Sequence, residues 1–418
     1  MRASRQVIVP ALLVGIATAL LLGGCASSSG GVSGKPPVVA VKRSQAPANT
    51  WRAQNPPSVG ARLVLKAVDF VDATHGWAVG YKGGGETLGD SPGLIMATSD
   101  GGATWHEQDA SSAGSTGEFS SVSFADPTHG VVVGERSDDS GAVVGTVILT
   151  TSNGGATWQM QDSSTAQIST SGLKSVSLVD AAHGWTVGYK DLSTNVNPIA
   201  LIQATSDGGA TWHEQDTTSA GENVGLGSVS FIDATHGWAI GSRGVDGGDS
   251  IDVVMSTTDG GATWRTQDIG GGGGPTALES VAFVDATHGW AVGNTPTGEN
   301  GVPVGLIMAT SDGGATWSTQ DAGAAGSEGE FYSVSFADAK QGWVVGSSPN
   351  SDGVTAHSVI LATSDGGATW KAQDASSAGS SSALVSVSFV DATHGWAVGD
   401  LGDDTARLVG SVIVATGK

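Results

Sequence analysis

Carboxylates are the commonest side chains in this sequence that could do chemistry. The 418 residues include 40 Asp and Glu against 18 Lys and Arg, and the formal net charge is -22. Clustered carboxylate oxygens bind Ca²⁺, two carboxylates about 5 to 9.5 Å apart can hydrolyse a glycoside, and an acidic surface attracts basic partners. The same charge argues against nucleic acids and anionic lipid headgroups as main partners, because these are bound through clustered Lys and Arg.

The acids that are candidates for a binding site lie in segments that differ from the repeated text around them. They are Asp138, Asp139, Asp246, Asp249, Asp252, Asp403 and Asp404. Asp246-x-x-Asp249-x-x-Asp252 is the best calcium candidate, although it does not match the spacing of a known calcium loop. We therefore predict no cofactor, with Ca²⁺ as the alternative. A solvated acidic surface is the simpler explanation of these acids.

Histidine recurs in the segment Asp-Ala-Thr-His-Gly and could suggest a ring of metal ligands. The set comprises His75, His129, His183, His236, His288 and His394, and Gln341 takes the seventh position. Facing sheets stand about 10 Å apart, whereas metal–imidazole bonds measure about 2.0 to 2.1 Å. Equivalent histidines in different units therefore cannot share one ion. We predict no metal site, and a His that caps its turn or packs on a neighbouring Trp.

The elements that position these residues come from one unit repeated seven times. All 13 tryptophans belong to it, in a Gly-Trp element and a Thr-Trp element, and Val131 replaces the Gly-Trp tryptophan in the second unit. Each unit contains four short strand-like runs: A (SVSFVD), B (GWAVG), C (LIMATS) and D (ATWHEQ). No helix-length apolar pattern occurs in the unit.

Four short strands in each of seven units predict an all-β fold, a seven-bladed β-propeller of four-stranded antiparallel blades. Residues 49–54 match strand D and residues 411–416 match strand C. We therefore expect the N-terminal strand D to join the C-terminal strands A to C and close the ring, which leaves no open sheet edge. The A–B and C–D turns would share one end of the ring. The variable B–C and D–A loops, which contain the candidate acids, would share the other end, where binding residues normally lie.

The turn between strands C and D resembles the Asp-box, or bacterial neuraminidase repeat, as in Thr98-Ser99-Asp100-Gly101-Gly102-Ala103-Thr104-Trp105. Its acid position is occupied by Asp100, Asn153, Asp207, Asp259, Asp312 and Asp365. Its Trp position is occupied by Trp51, Trp105, Trp158, Trp212, Trp264, Trp317 and Trp370. We expect a structural role: the Asp accepts hydrogen bonds from its own turn, the glycines allow positive φ, and the Trp packs between blades.

The whole unit resembles the seven-bladed propellers of the photosystem II assembly and stability factor family over about residues 49–418. That resemblance implies a lipid-anchored assembly chaperone. Sialidases share the Asp-box but need three arginines around the substrate carboxylate, and this chain lacks the Phe/Tyr-Arg-Ile-Pro segment that supplies one of them. Two of its few propeller arginines, Arg52 and Arg265, belong to outer strands, so sialidase activity is disfavoured.

The N-terminal residues have the layout of a bacterial lipoprotein signal. Arg2 and Arg5 precede an apolar run at residues 7–22, which ends in Leu22-Gly23-Gly24-Cys25. This ending resembles the lipobox, in which the Cys sulfur is acylated. We predict a signal peptide at residues 1–24, a flexible tether with lipidated Cys25 at 25–48, and the propeller at 49–418.

These observations predict a monomeric, lipid-anchored, extracytoplasmic propeller without catalytic residues that binds or scaffolds a protein or a glycan. A photosystem II assembly role is the specific alternative. Glycoside hydrolysis is the alternative from another class. It lacks support in the loops, because every Trp that could form a sugar platform belongs to the repeat.

Overall fold

The structure is a computed structural model. It describes residues 50–54, 62–83, 92–113, 117–137, 143–161, 171–190, 198–245, 250–267, 269, 276–295, 302–323, 328–403, 405 and 407–417. The predicted signal peptide and tether with Cys25, and five of the candidate acids, Asp138, Asp139, Asp246, Asp249 and Asp404, lie outside the described residues.

The strands follow one another in groups of four along the chain. The first strand is β1 (Arg52–Gln54). Blade 1 contains β2 (Arg62–Phe70), β3 (Gly76–Gly83), β4 (Gly93–Thr98) and β5 (His106–Gln108). Blade 2 contains β6 (Gly117–Phe124), β7 (Gly130–Ser137), β8 (Val143–Thr151) and β9 (Gln159–Met160). Blade 3 contains β10 (Ser171–Leu178), β11 (Gly184–Lys190), β12 (Ile199–Thr205) and β13 (His213–Glu214).

Blade 4 contains β14 (Val224–Phe231), β15 (Gly237–Gly244), β16 (Ser250–Thr257) and β17 (Arg265–Gln267). Blade 5 contains β18 (Ala277–Phe283), β19 (Gly289–Thr295), β20 (Val304–Thr310) and β21 (Ser318–Gln320). Blade 6 contains β22 (Glu330–Phe336), β23 (Gly342–Pro349), β24 (Ala356–Thr363) and β25 (Lys371–Ala372). The last strands are β26 (Ser382–Phe389), β27 (Gly395–Gly402) and β28 (Leu408–Thr416). Short 3-10 turns occur at Ser111–Ala113, Thr218–Ala220 and Ser376–Ala378.

Seven four-stranded antiparallel sheets confirm the predicted propeller. In blade 7 the order is β26, β27, β28 and β1, so the N-terminal strand pairs with the C-terminal one. Arg52 lies opposite Ala415 and Gln54 opposite Ile413. The first and last described strands thus form one sheet, and the ring closes as the sequence predicts.

Strand D is shorter than the run ATWHEQ suggests. In blade 1 it begins at His106, after the Thr and Trp of the Asp-box. Thr104 is bonded to Asp100 through its backbone N–H and its hydroxyl, and Trp105 is buried between blades. Both residues belong to the turn and the core, so only the following residues join the ladder.

The hydrophobic core is divided into seven clusters, one at each interface between neighbouring blades, which we call a seam. At six seams the last Phe of strand A lies between two tryptophans. Phe124, for example, stacks on Trp77 of blade 1 at a centroid distance of 3.4 Å. It also meets Trp158 of its own blade edge to face at 5.9 Å. These aromatic contacts lock each blade to the next.

The A strands of successive blades pack on one another and form the inner ring around the central channel. Each A strand has a β-bulge near its start, as between Leu65 and Ala67. A Cβ at Gly80, in the facing strand B, would lie 1.8 Å from the Val64 carbonyl oxygen, so only Gly fits there. The bulge leaves one residue of every A strand without a partner in strand B.

Candidate functional site

The Asp-box residues bond within their own turns on the turn face, the end of the ring with the A–B and C–D turns. Asp100 Oδ1 accepts the Thr104 backbone N–H at 2.8 Å, and Oδ2 accepts the Thr104 hydroxyl at 2.6 Å. In blade 3 the Thr211 hydroxyl and backbone N–H hold the pKa of Asp207 at about 2. Gly101 and Gly102 have φ of 72° and 86°. The acid position is thus occupied by bonds that shape the turn.

The repeated histidines also bond within their own turns. His236 Nδ1 lies 3.0 Å from Asp233 Oδ2. The Thr235 hydroxyl bond, with further bonds from His236, holds the pKa of Asp233 well below its usual range. In blade 6, Gln341 Nε2 donates to Asp338 Oδ2 at 3.3 Å, as the His ring does elsewhere. In each of the six histidines, the ring nitrogen Nδ1 therefore contacts the Asp of its own turn.

Two of the candidate loop acids, Asp252 and Asp403, lie in the described part of the chain. Asp252 accepts the Leu278 backbone N–H at 3.0 Å and the Thr276 hydroxyl, so it links blade 4 to blade 5. Asp403 accepts the backbone N–H groups of Thr405 at 2.9 Å and Arg407 at 3.0 Å. Asp403 therefore caps its own loop, and only Asp252 faces the channel residues described next.

Charged residues converge on the loop face, the opposite end of the ring, where the B–C and D–A connections lie. We call this opening the channel mouth. It is formed by the bulge residues, by the residues that flank them in strands A and B, and by Asp252 in strand C of blade 4. The seven bulge residues are Lys66, Ser120, Lys174, Gly227, Glu279, Tyr332 and Val385. Their chemistry differs from blade to blade, although the sequences around them are similar.

One side of the mouth contains equal numbers of basic and acidic side chains. This mixed sector comprises Arg62, Lys66, Lys174, Glu118, Glu135 and Asp400. Lys174 Nζ lies 3.0 Å from Glu135 Oε2 and 5.5 Å from the ring centre of Tyr189. Burial raises the pKa of the Glu118 carboxyl and the nearby Glu135 raises it further, while Lys66 and Lys174 lower it. The mixed sector therefore contains three bases and three acids that compensate one another.

The other side of the mouth is acidic. This acidic sector comprises Asp252, Glu279 and Glu330, from blades 4, 5 and 6. Glu279 is exposed to solvent, but the protein around the mouth removes part of the hydration of its carboxyl and raises its pKa, and the carboxylates of Glu330 and Asp252 raise it further. The Tyr332 hydroxyl donates to Glu330 and lies 3.2 Å from Ser347 Oγ. No Lys or Arg of the described chain contributes to the Glu279 shift, so this sector favours a cationic group.

The sequence predicts that the variable loops share one end of the ring, but it does not indicate that Lys66, Glu279 and Tyr332 meet there. Alignment of the seven units contains a signal that could have identified these positions. The residue before Ser-Val-Ser-Phe, or its variants in blades 1, 3 and 5, differs in chemical type between units more than the residues that follow it. The structure shows that this position is the bulge of each strand A, so its seven residues form a ring at the mouth.

The described residues include no group of three or more His, Cys, Asp or Glu placed to hold a metal ion. Asp252 is the described member of the Asp246, Asp249 and Asp252 calcium candidate, and it is bonded to blade 5. None of the described helices has the length and apolar character of a membrane span.

Comparison with known sequences gives a consistent likeness. A family model described as photosynthesis system II assembly factor YCF48 matches residues 275–351. The photosystem II assembly lipoprotein Ycf48 of Synechococcus sp. (strain CC9902) is 28% identical over 169 residues, which are 38% of this chain and 42% of that relative. The chain thus matches less than half the length of this relative, and it is similar to the assembly-factor family.

Solved structures show the same fold. A YCF48 structure with a bound D1 peptide has a TM-score of 0.59 and 18% identity, over 88% of this chain and 96% of the other. YCF48 from Cyanidioschyzon merolae has a TM-score of 0.56 and 20% identity over 88% and 98%. A xyloglucanase from Xanthomonas campestris has a TM-score of 0.54 and 14% identity over 86% and 55%. At these identities the likeness shows a shared propeller fold.

Proposed function

We propose that this protein is a lipid-anchored, extracytoplasmic assembly factor that holds a segment of a protein partner at the channel mouth. The observation that carries the proposal is the family match at residues 275–351, because that span contains Glu279, Glu330 and Tyr332. A relative that is named an assembly lipoprotein and a fold relative that binds a peptide both support it. This role is the specific alternative that the sequence predicted beside a general binding function.

The charge at the mouth supports a basic segment as the ligand. Asp252, Glu279 and Glu330 belong to three different blades, and the carboxylates of Glu330 and Asp252 raise the pKa of Glu279. A cationic side chain placed among them would relieve this repulsion and would lower the raised pKa of Glu279. Complementary charge of this kind chiefly sets specificity and the rate of association.

A binding role without catalysis fits the chemistry of Tyr332, the tyrosine at the acidic sector. Burial raises the pKa of its hydroxyl, and the bond to Glu330 raises it further. A nucleophilic tyrosine needs the opposite change, because the reactive form is the phenolate.

The proposal keeps lipidated Cys25 as the membrane anchor and the flexible tether at 25–48 as the spacer.

Site-specific photo-cross-linking in the source cells tests the proposal. A photoreactive phenylalanine would replace Val385, a bulge residue at the mouth. As the matched control it would replace Ala103, an exposed residue of the turn face. We expect the Val385 probe to form adducts with a membrane-protein partner that the Ala103 probe does not form. Identical adducts from both positions, or adducts with glycans only, would overturn the proposal.

Charge variants then test the acidic sector with a peptide from the captured partner. We expect Glu279→Gln with Glu330→Gln to weaken binding by about tenfold, which corresponds to about 1.4 kcal/mol. Glu222→Gln with Glu328→Gln is the control, because it removes the same charge from exposed positions of the same face. Fluorescence anisotropy measures both pairs. Equal losses in the two pairs would show general charge attraction and would contradict recognition at the mouth.

A further inference from the structure

In blade 6, strand D covers only the end of strand C. β25 pairs with two residues of β24, and the next N–H, that of Gln373, donates to the Ile360 carbonyl oxygen at 2.8 Å. The backbone then enters the 3-10 turn Ser376–Ala378, which packs on the outer strands of blade 7. The first four residues of β24, Ala356–Val359, therefore have no strand D partner among the described residues.

This edge of strand C presents main-chain groups for hydrogen bonding. Ser358 lies two positions before Ile360, so its N–H and carbonyl oxygen point to the same side, away from strand B. In blade 3 the equivalent carbonyl oxygen, that of Ala200, accepts the Thr217 hydroxyl at 2.8 Å. Blade 6 has Ala375 at the position of Thr217. The hydroxyl that bonds to this edge in blade 3 is therefore missing from blade 6.

An open groove, which we call the edge groove, follows this edge at the outer rim of the loop face. Its volume is about 620 Å³, and it is lined by Ser358, Val359 and Ile360 of β24 together with Ala375 and Gly379. Val359 packs in the seam with blade 5 and Ile360 in the seam with blade 7, so the groove follows the edge of the sheet. Ligand pockets commonly measure about 300 to 1,000 Å³, so the groove has room for a short peptide strand.

The charge around the edge groove is negative. Asp374 lies where strand D ends, and bonds from the hydroxyl and the backbone N–H of Ser376 lower the pKa of its carboxyl. A second cleft of about 410 Å³ adjoins the groove, shares two lining residues with it, and has Asp352 and Asp403 in its walls. No Lys or Arg of the described chain lines either cleft. The two clefts together therefore favour a basic ligand.

We propose that the edge groove binds an extended segment of a protein partner, in which apolar and basic side chains alternate, as an added strand beside β24. The main chain of the segment would bond to Ser358. Successive side chains of a strand point to opposite sides, so one set would contact Ile360 and Ala375 and the other set would lie near the carboxylates. In this mode of recognition main-chain bonds give affinity and side-chain contacts give specificity. The groove lies at the rim and the mouth at the centre, so the inference does not depend on the function proposed for the mouth.

Titration of the mature protein with the hexapeptide acetyl-Val-Lys-Val-Lys-Val-Lys-amide tests the proposal, with hydrogen exchange of the Ser358 amide followed by NMR. We expect saturable binding that slows this exchange by about tenfold or more at saturation, because the added strand accepts the Ser358 N–H. No binding at millimolar peptide, or binding that leaves the exchange of Ser358 unchanged, would overturn the proposal.

Two N-methylated peptides test whether the ligand pairs as a strand. Successive N–H groups of a strand point to opposite sides, so only every second one can face β24. A single N-methyl group on the third or on the fourth residue should therefore abolish binding in one peptide and leave it nearly unchanged in the other. Equal losses in both peptides would contradict strand pairing. The same hexapeptide with Glu in place of Lys should bind about tenfold more weakly or not at all, and equal affinity would disprove the preference for a basic segment.

Ala375→Thr provides the protein-based test, because it introduces the residue that bonds to the strand edge in blade 3. We expect it to weaken binding of the hexapeptide by about tenfold or more. Ala368→Thr is the control, since it makes the same change at an exposed position of the turn face of blade 6 and should bind as the wild type does. Undiminished binding to Ala375→Thr would show that the peptide lies elsewhere. The two N-methylated peptides decide the question on the wild-type protein even if a variant fails to fold.

Discussion

Asp69 gives a prediction whose size and sign follow from the structure. Its position in strand A is Ser in five of the other six blades and Ala in the remaining one. In those five blades the Ser hydroxyl accepts a backbone N–H of the next blade, as Ser123 accepts Leu178 at 3.0 Å. Asp69 Oδ2 accepts the Phe124 N–H in the same way at 2.7 Å.

Ionisation of Asp69 at neutral pH destabilises the folded protein, because the carboxylate loses hydration there. Burial raises its pKa from 3.8 to about 6, and hydrogen bonds from Phe124 and Phe70 only partly oppose this. A difference of roughly two pKa units corresponds to about 3 kcal/mol. Because part of the side chain is accessible to solvent, we take about 3 kcal/mol as the upper bound for the destabilisation.

The dependence on pH has a definite direction. Below pH 3.8 Asp69 is neutral in both folded and unfolded chains, and burial costs little. Between pH 3.8 and about 6 the unfolded chain ionises first, so stability is lost as the pH rises. Above about pH 6 the penalty is constant. Asp69→Ser should therefore stabilise the protein by up to about 3 kcal/mol at pH 7.5 and by little at pH 3.5.

Urea unfolding of the wild type and Asp69→Ser at the two pH values measures this difference, and other titrating groups cancel in the comparison. Ala282→Ser is the control, since it adds the same hydroxyl at the equivalent position of blade 5 without removing a charge. Its effect should not depend on pH. A stabilisation by Asp69→Ser that is equal at both pH values, or a loss at pH 7.5, would refute the reasoning.

Three further changes have expected outcomes. Gln203→Met removes a buried amide that has no hydrogen-bond partner among the described residues, so it should raise the free energy of unfolding by about 1–3 kcal/mol. The exposed Gln159→Met should change it by less than about 0.5 kcal/mol. Deleting residues 50–54 removes β1 and the buried Trp51, which meets Phe389 at 5.7 Å, so thermal unfolding should show a loss of about 3 kcal/mol or more. Arg52→Ala changes an exposed residue of the same strand and should not alter the melting temperature. Equal melting temperatures for the deletion variant and the wild type would contradict ring closure through β1. Cys25→Ser should abolish incorporation of a palmitate analogue, and persistent labelling would disprove the anchor.

The fold could be predicted because its signals are local and repeated. The bonds between Asp100 and Thr104 join residues four positions apart, so the turn follows from the sequence of one unit. Ring closure could be predicted because the two ends of the repeated region complement each other. The lengths of the D strands could not be predicted, because the burial of Trp105 between blades decides where the ladder begins.

The candidate site could be predicted only in part. The variable loops lie at the same end of the ring as the channel mouth, but the candidate acid Asp403 bonds within its own loop. Lys66, Glu279 and Tyr332 escaped notice because a strand residue in a regular pattern gives no sign that a bulge releases it. The replacement of Trp by Val131 was visible in the sequence, while its packing in one cluster with Leu178 depends on which strand faces it.

The sequence by itself determined the blade, the Asp-box turn and the number of repeats, because each depends on contacts within a few residues or on the matching of units. The tertiary structure decided which of the diverged residues meet. Glu279 and Glu330 are 51 positions apart in the chain, and the ring brings them close enough for the Glu330 carboxylate to raise the pKa of Glu279. Residues that meet across two neighbouring blades are about one repeat apart in the sequence. The sequence of a single unit therefore predicts its strands and turns, but not which charged side chains lie together at the mouth.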